Sequence, residues 1–222
     1  MMPSQDQIEW RISPGLTDYA DAMTVMETRA AAIRAGTAPE MVWLLEHPPL
    51  ITAGTSAAAD ELLDPDRFPV HASGRGGRFT YHGPGQRIGY VLLDLDRRGR
   101  DVRLYVASLE DWLIAALGML GVDARKASGR IGIWVDDRSG REAKIGAIGV
   151  RVKKWVTLHG FALNVSPDLS HFTAIIPCGI DAFPVTSLAA LQREGTTDAL
   201  DQALIHTFPQ FIQSLNGSCM RS

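Results

Sequence analysis

The sequence predicts an α+β fold in which a largely antiparallel or mixed sheet is flanked by helices. Three observations carry that expectation. Apolar residues recur at steps of three and four over 17–35, 101–120 and 197–215, the period of helices with one buried face. Apolar runs at 131–135, 143–152 and 155–165 are separated by only a few polar residues, the pattern of hairpin-connected strands. No repeat, low-complexity stretch or linker divides the 222 residues, so a single domain over 1–222 is expected at roughly 150 residues per domain.

The first helix is expected over 17–35. Tyr19, Met23, Met26, Ala30 and Ile33 form its stripe, Thr17 or Asp18 can cap its start, and Gly36 follows its end. MVWLLE (41–46) is a short apolar run stopped by His47-Pro48-Pro49, a strand running into a turn. IGYVLLDL (88–95) gives a second strand signal. The second helix, 101–120, has Asp101 as its cap, Tyr105, Leu109, Trp112, Ala116 and Leu120 as its stripe, and Gly121 behind it. IGIWV (131–135) and AKIGAIGVRV (143–152) flank the polar DDRSG and read as a hairpin. After Lys153-Lys154, another hairpin turn, comes WVTLHGFALNV. There Trp155, Thr157, His159, Phe161, Leu163 and Val165 share one face by the period of two. The last helix, 197–215, presents Leu200, Leu204, Phe208, Phe211 and Leu215, and Pro209 within it is expected to kink or split it.

Composition excludes several function classes. The net charge is −3, which argues against a protein that grips a nucleic-acid backbone. With 45% hydrophobic and 21% charged residues the chain can fill a core and is not expected to be disordered. The two cysteines, Cys178 and Cys219, cannot make a disulfide framework, and no C-x-x-C is present. The first ten residues show no secretory signal, and LIAALGMLGV (113–122) is about half the ~20 residues a membrane crossing needs. A protein of a reducing compartment, the cytoplasm, is expected. None of the six histidines shows paired metal-ligand spacing, so no metal is expected.

Four segments stand out. SGRGGRFTYHGPGQ (73–86) carries five glycines beside Arg75, Arg78, Tyr81 and His82. Such a run permits close backbone approach and can cradle an anion or a carbonyl oxygen, or it is a tight connection between strands. It matches neither G-x-G-x-x-G nor the P-loop. In AKIGAIGV, Lys144 is either a solvated edge residue or an amine in a pocket, where burial would make it a usable base. In LHGFALNV, His159 and Asn164 are polar within an apolar strand. Gly160 and Ala162 leave room there for an acyl chain or a backbone, and a hydrogen-bonded core histidine is the alternative. In AIIPCGI, Cys178 follows an apolar run between Pro177 and Gly179, either a nucleophile on a sharp turn or a buried structural thiol. An unassisted thiol is only about 3% thiolate at pH 7. Lys144, His82 and His159 are the candidate partners that would raise that fraction. Cys219 carries no such context.

RGGRFTYHGPGQ (75–86), KIGAIGVRV (144–152), HGFALNV (159–165) and PCGI (177–180) together resemble the octanoyltransferases of lipoate biosynthesis, within the biotin/lipoate protein ligase superfamily. The resemblance runs from HPP at 47–49 to VTSL at 185–188. It implies the catalytic-domain fold of that superfamily and a ping-pong acyl transfer. Octanoyl from acyl carrier protein would be held as a thioester on Cys178 and then passed to a lysine of a lipoyl domain. The acceptors implied are the E2 subunits of 2-oxoacid dehydrogenases and the glycine cleavage H protein. Lys144 matches the family lysine that lowers the pKa of the catalytic cysteine. The implied acyl site comprises Arg75, Gly76, Gly77, Arg78, Phe79, Thr80, Tyr81 and His82, with Ala147, Ile148 and Gly149 and with Gly160, Phe161 and Ala162; His159 is a supporting residue. Loop amides would face the oxyanion. No ATP is expected, because the incoming thioester is already activated. Arg78 stands where many members carry Gln. An ATP-dependent lipoate or biotin ligase of the same fold, and a non-catalytic module that binds acyl carriers or lipoyl domains, are the alternatives. Acidic partners would be steered by a basic rim, for which Arg75, Arg78, Arg87, Arg97, Arg98, Arg100, Arg103, Arg151, Lys153 and Lys154 are candidates. Lys144 and Cys178 are 178 − 144 = 34 residues apart, so only the fold can bring them together.

Overall fold

The central strand Met41–Glu46 (β2) shows why an apolar run without alternation can still be a strand. Met41, Trp43 and Leu45 pack on one side of the sheet and Val42 and Leu44 on the other, so both faces of β2 are buried. A computed structural model describes residues 8–176, 183–193 and 195–216. In it, Glu9–Leu16 (β1) pairs with β2 in parallel, and Gln86–Leu92 (β6) pairs with β2 antiparallel. Val156–Asn164 (β10), Glu142–Lys153 (β9), Arg130–Asp136 (β8) and Arg125–Ala127 (β7) extend the sheet. Its order is β1-β2-β6-β10-β9-β8-β7, antiparallel after the first pair. The mixed, largely antiparallel sheet is the predicted one. Leu50–Ala53 (β3), Val70–Ala72 (β4) and Phe79–His82 (β5) form a second small sheet, order β4-β3-β5.

Helices cover both faces of the larger sheet. Tyr19–Arg34 (α1) starts where the Asp18 carboxylate accepts the Ala20 and Asp21 amides at 2.8 and 3.1 Å. Its buried residues Ala22, Met26, Ala30 and Ile33 meet Trp43, Tyr90, Leu92 and Leu158. Val102–Met119 (α2) is capped by Asp101, whose Oδ1 accepts the Leu104 amide at 2.9 Å. Opposite α1, α2 packs with Thr197–Asn216 (α3) over β2, β6, β8, β9 and β10. The Trp112 ring stacks on Phe211 at 4.9 Å, and its Nε1 donates to the Leu204 carbonyl at 3.0 Å. α3 runs unbroken through Pro209. Phe208 and Phe211, on either side of that proline, pack on the same Trp112 ring and offset the hydrogen bond the proline cannot make.

Two further departures concern the sheets. The glycine-rich stretch is not a loop throughout, since Phe79–His82 within it pairs with β3. His159 also leaves the face that alternation assigns it. Phe161, Leu163 and Val165 pack toward α2 and α3, but His159 has φ +61° and its ring lies 5.9 Å from Tyr90, on the α1 side. A left-handed residue inside a strand reverses where its side chain goes.

Candidate active site

The small sheet sits over the edge of β9 and β10, where those strands carry little side chain. Gly149 pairs with Gly160 and Ala147 with Ala162. Under the small sheet this leaves a narrow cleft. Its lining includes Arg75, Gly77, Arg78, Phe79, Thr80 and His82 from the glycine-rich segment. From β9 and β10 come Ala147, Ile148, Gly149, His159, Gly160, Phe161 and Ala162. Segments far apart in sequence therefore share one cavity. Gly76 lines an adjoining cavity instead, and Tyr81 turns away into the small-sheet core, where its hydroxyl meets His171 Nδ1 at 2.7 Å.

The close packing needs the glycines. A Cβ on Gly54 would stand 2.2 Å from the Gly77 carbonyl oxygen, and one on Gly160 would stand 2.3 Å from that of Gly89. Both are backbone contacts that cannot yield.

Lys144 lies where two neighbouring cavities meet. One is walled by Thr80, Gln86, Ala147, Ala162 and Asn164, the other by Gly77, Arg78, Trp134, Ile148 and Gly149. Both share residues with the narrow cleft. Lys144 is only 8% exposed, so it is not a solvated edge residue. Its Nζ donates to the Ile131 carbonyl at 3.1 Å and lies 5.3 Å from the Trp134 ring centroid. Its backbone is bracketed: its N–H donates to the Pro184 carbonyl at 2.8 Å, and its carbonyl accepts the Thr186 N–H at 2.9 Å. Cys178 lies outside the described residues, as do Pro177, Gly179 and Cys219. The chain on either side of Cys178 is placed. The Ile176 N–H donates to the Glu61 carbonyl at 2.8 Å, and the Phe183 ring meets Trp134 edge-on at 5.4 Å.

The deep end of the cleft is a cluster of neutral rings. His47 donates from Nδ1 to the Thr17 carbonyl at 2.6 Å, so its Nε2 accepts from the Tyr90 hydroxyl at 2.7 Å. Burial lowers the His47 pKa, drives His82 down to about 3 and His159 down to about 4, and raises the Tyr90 hydroxyl well above its ordinary value. His47 adds to the effect on His82, and the Arg75 guanidinium to that on His159. The cavity wall therefore stays uncharged apart from its arginines, as suits an apolar chain. Among the described residues no group of three or more His, Cys, Asp or Glu side chains is placed to hold a metal. Tyr19, Thr52, Ile88 and Tyr90 also line the cleft. Sequence reasoning missed them as site residues, because Tyr19 reads as a stripe position of α1 and Tyr90 as an ordinary strand residue.

Most of the candidate basic rim is occupied within the fold. Arg87 is buried against Asp201, with bonds of 2.8 and 2.6 Å, and Arg98 against Glu40. Arg78 pairs with Glu61, Arg100 with Asp96, and Arg151 and Lys153 with Glu27. Arg97, Arg103 and Lys154 are exposed. One loop amide is also occupied, since the Gly76 N–H donates to the Val150 carbonyl at 3.0 Å.

Residues 18–209 match the lipoyl protein ligase A/B catalytic domain. An octanoyltransferase of Sphingopyxis alaskensis is 67% identical over 217 residues, covering 98% of this chain and 100% of that one. An octanoyltransferase of Rhizorhabdus wittichii is 62% identical over 217 residues, 98% and 97% of the two chains. Among solved structures, a lipoate-protein ligase A bound with ATP superposes with a TM-score of 0.70 at 21% identity, over 92% of this chain and 86% of that one. That likeness is one of fold.

Proposed function

The chain belongs to the lipoyl protein ligase A/B catalytic-domain family, and from that premise we propose that it moves octanoyl from acyl carrier protein to lipoyl domains by way of a Cys178 thioester. Octanoyl transfer itself follows from its kinship with octanoyltransferases over nearly the whole chain. The donor, the intermediate and the order of steps are our reading. The observation that carries it is the position of Lys144, buried where two cavities adjoining the small-residue cleft meet and bracketed by the Pro184–Thr186 segment, which starts six residues beyond Cys178.

In the first half-reaction the Cys178 thiolate attacks the thioester carbonyl of the donor. The tetrahedral intermediate collapses, the carrier's thiolate leaves and takes up a proton, and the octanoyl group stays on sulfur. In the second, the amine of a lipoyl-domain lysine attacks the acyl-enzyme. Loss of the Cys178 thiolate and of one amine proton gives the amide. Lys144 stabilises the thiolate as a cation and relays protons in both halves. The acyl chain lies over Ala147, Gly149, Gly160 and Ala162, beneath the Arg75–His82 segment. The acceptors are lipoyl domains of 2-oxoacid dehydrogenase E2 subunits and the glycine cleavage H protein. The reaction runs in the cytoplasm without ATP or metal, within one catalytic domain. Among the described residues no helix is long and apolar enough to cross a membrane.

Intact-protein mass spectrometry after mixing with octanoyl-acyl carrier protein, without ATP, tests this. A thiol-labile octanoyl adduct on the wild type and none on Cys178→Ser is expected. Modification of a lipoyl domain only when free octanoate and ATP are supplied would make the protein a ligase instead.

A further inference from the structure

A buried chain of hydrogen bonds, none of which the reaction above uses, runs from the acyl cleft to the backbone beside Lys144. The Arg75 Nη2 donates to Thr52 Oγ1 at 2.7 Å, and Thr52 Oγ1 lies 3.3 Å from His82 Nε2. His82 Nδ1 lies 2.7 Å from Gln86 Oε1, Gln86 Nε2 donates to Asn164 Oδ1 at 2.9 Å, and Asn164 Nδ2 donates to the Thr186 carbonyl at 2.9 Å. All six residues are buried.

The direction of every bond is forced from the two ends. The Thr186 carbonyl can only accept, so Asn164 presents its NH₂ there and its oxygen to Gln86. Gln86 then donates to Asn164 and accepts from His82. His82 is therefore protonated on Nδ1, and its bare Nε2 accepts from the Thr52 hydroxyl. The guanidinium of Arg75 can only donate, which closes the series. One consistent orientation across six groups fixes their geometry more tightly than isolated contacts would.

The chain also crosses from the small sheet to the large one, two sheets that no strand pairing joins. Arg75 belongs to the acyl loop, Thr52 and His82 to the small sheet, Gln86 to β6 and Asn164 to β10. Thr186 belongs to the segment whose N–H pairs with the Lys144 carbonyl. The other flank of the Cys178 stretch is tied to the same loop, because Arg78 pairs with Glu61 and the Glu61 carbonyl holds the Ile176 N–H.

We propose that Gln86 and Asn164 are positioning residues for the transfer, holding the Pro184–Thr186 segment in register with Lys144 according to the placement of the acyl loop. The inference rests on the reading of Cys178 and Lys144 given above, and Lys144→Ala is run alongside so that the two can fail separately.

Asn164→Asp keeps the shape and the acceptor for Gln86 but sets an oxygen against the Thr186 carbonyl. Thr52→Val cuts the opposite end without changing volume. Steady-state transfer to a lipoyl domain and the pH profile of Cys178 alkylation by iodoacetamide are measured for each. Asn164→Asp is expected to lower kcat by about tenfold to a hundredfold, the scale of a small misplacement of reacting groups. Its KM for the octanoyl donor stays unchanged, and its alkylation profile moves to higher pH, as in Lys144→Ala. Thr52→Val moves both readouts the same way by less, and decides the matter should Asn164→Asp not fold. A folded variant with wild-type kcat, or one in which KM rises and kcat holds, overturns the positioning role. An alkylation profile unmoved by Lys144→Ala overturns the dyad, and the split between kcat and KM still decides the relay.

Discussion

The methylene arm of Lys144 runs across Gly132. A Cβ at position 132 would stand 2.5 Å from Lys144 Cε and 2.9 Å from its Nζ. Gly132 also has φ +130°, a conformation that L side chains rarely adopt, and its N–H donates to Glu110 Oε1 at 3.0 Å. Gly132→Ala should therefore displace the amine and lower octanoyl transfer by about tenfold or more. The strained backbone should cost about 1–3 kcal/mol of stability as well. Single-turnover kinetics beside thermal unfolding separates the two effects. A wild-type rate in Gly132→Ala would mean that the placement of Nζ does not limit the reaction.

Farther along β9 the Arg75 stem covers Gly149, where a Cβ would stand 2.8 Å from Arg75 Cδ. Gly149→Ala should push Arg75 and its loop into the cleft. The expected result is a raised KM for the octanoyl donor, with weaker discrimination against shorter acyl chains. Kinetics with hexanoyl, octanoyl and decanoyl donors checks this, and parallel losses for all three would refute it.

Stability should fall in mild acid. His82 and His159 titrate at about 3 and about 4 in the folded chain, and His47 is also lowered, against 6.5 for an ordinary histidine. As pH drops below 6.5 the unfolded chain takes up protons that the folded chain refuses. Stability is thus full above about 6.5 and declines as pH falls toward the folded values. Melting temperature followed from pH 7.5 to 4.5 should show the decline, and His82→Asn should flatten it. An equal slope in that variant would take His82 out of the account.

Arg87 was a candidate for the docking rim, yet its guanidinium is 5% exposed and forks onto Asp201. Arg87→Ala should cost about 3–5 kcal/mol by stranding a buried carboxylate. Denaturant unfolding measures that loss. An unchanged midpoint, with weaker binding of acyl carrier protein, would return Arg87 to the rim.

The turn between β9 and β10 is made by Lys154 and Trp155, at φ +50° and +68°. Both central residues of this hairpin are left-handed, where Asn or Gly is preferred. Lys154→Asn should stabilise the protein by about 0.5–1 kcal/mol, part of the cost an ordinary side chain bears there. Equal or lower stability by denaturant titration would show that Lys154 makes a compensating contact.

What could be read from the sequence were the elements whose period is enforced by burial. The stripes of α1, α2 and α3 and the runs of β2, β8, β9 and β10 are long, and each faces a core. Strands β1, β3, β4, β5 and β7 are short or lie outside the main core, and the turn-like composition around β5 hid its pairing with β3. At the site, the glycine-rich segment and the small residues of β9 and β10 could be read because only such residues permit the approach the cleft needs. Tyr90 and Tyr19 could not, since a tyrosine that lines a cavity has the same neighbours in sequence as one that fills a core. His159 was noticed, but its side was misjudged: period-two alternation fails at a left-handed residue.

The pairing of Gly149 with Gly160, and of Ala147 with Ala162 beside it, has a consequence for anyone who would retune this catalyst. At these two pairs the floor of the cleft is nearly bare main chain, and the only side chains there to trim are the methyl groups of Ala147 and Ala162. Point substitution at these positions can narrow the channel but can widen it by no more than a methyl group at each alanine. A variant that accepts bulkier or branched acids must gain most of its room from the opposite wall, at Phe79 or Thr80, or from Tyr90 beside Gly160 on the neighbouring strand, which all line the cleft.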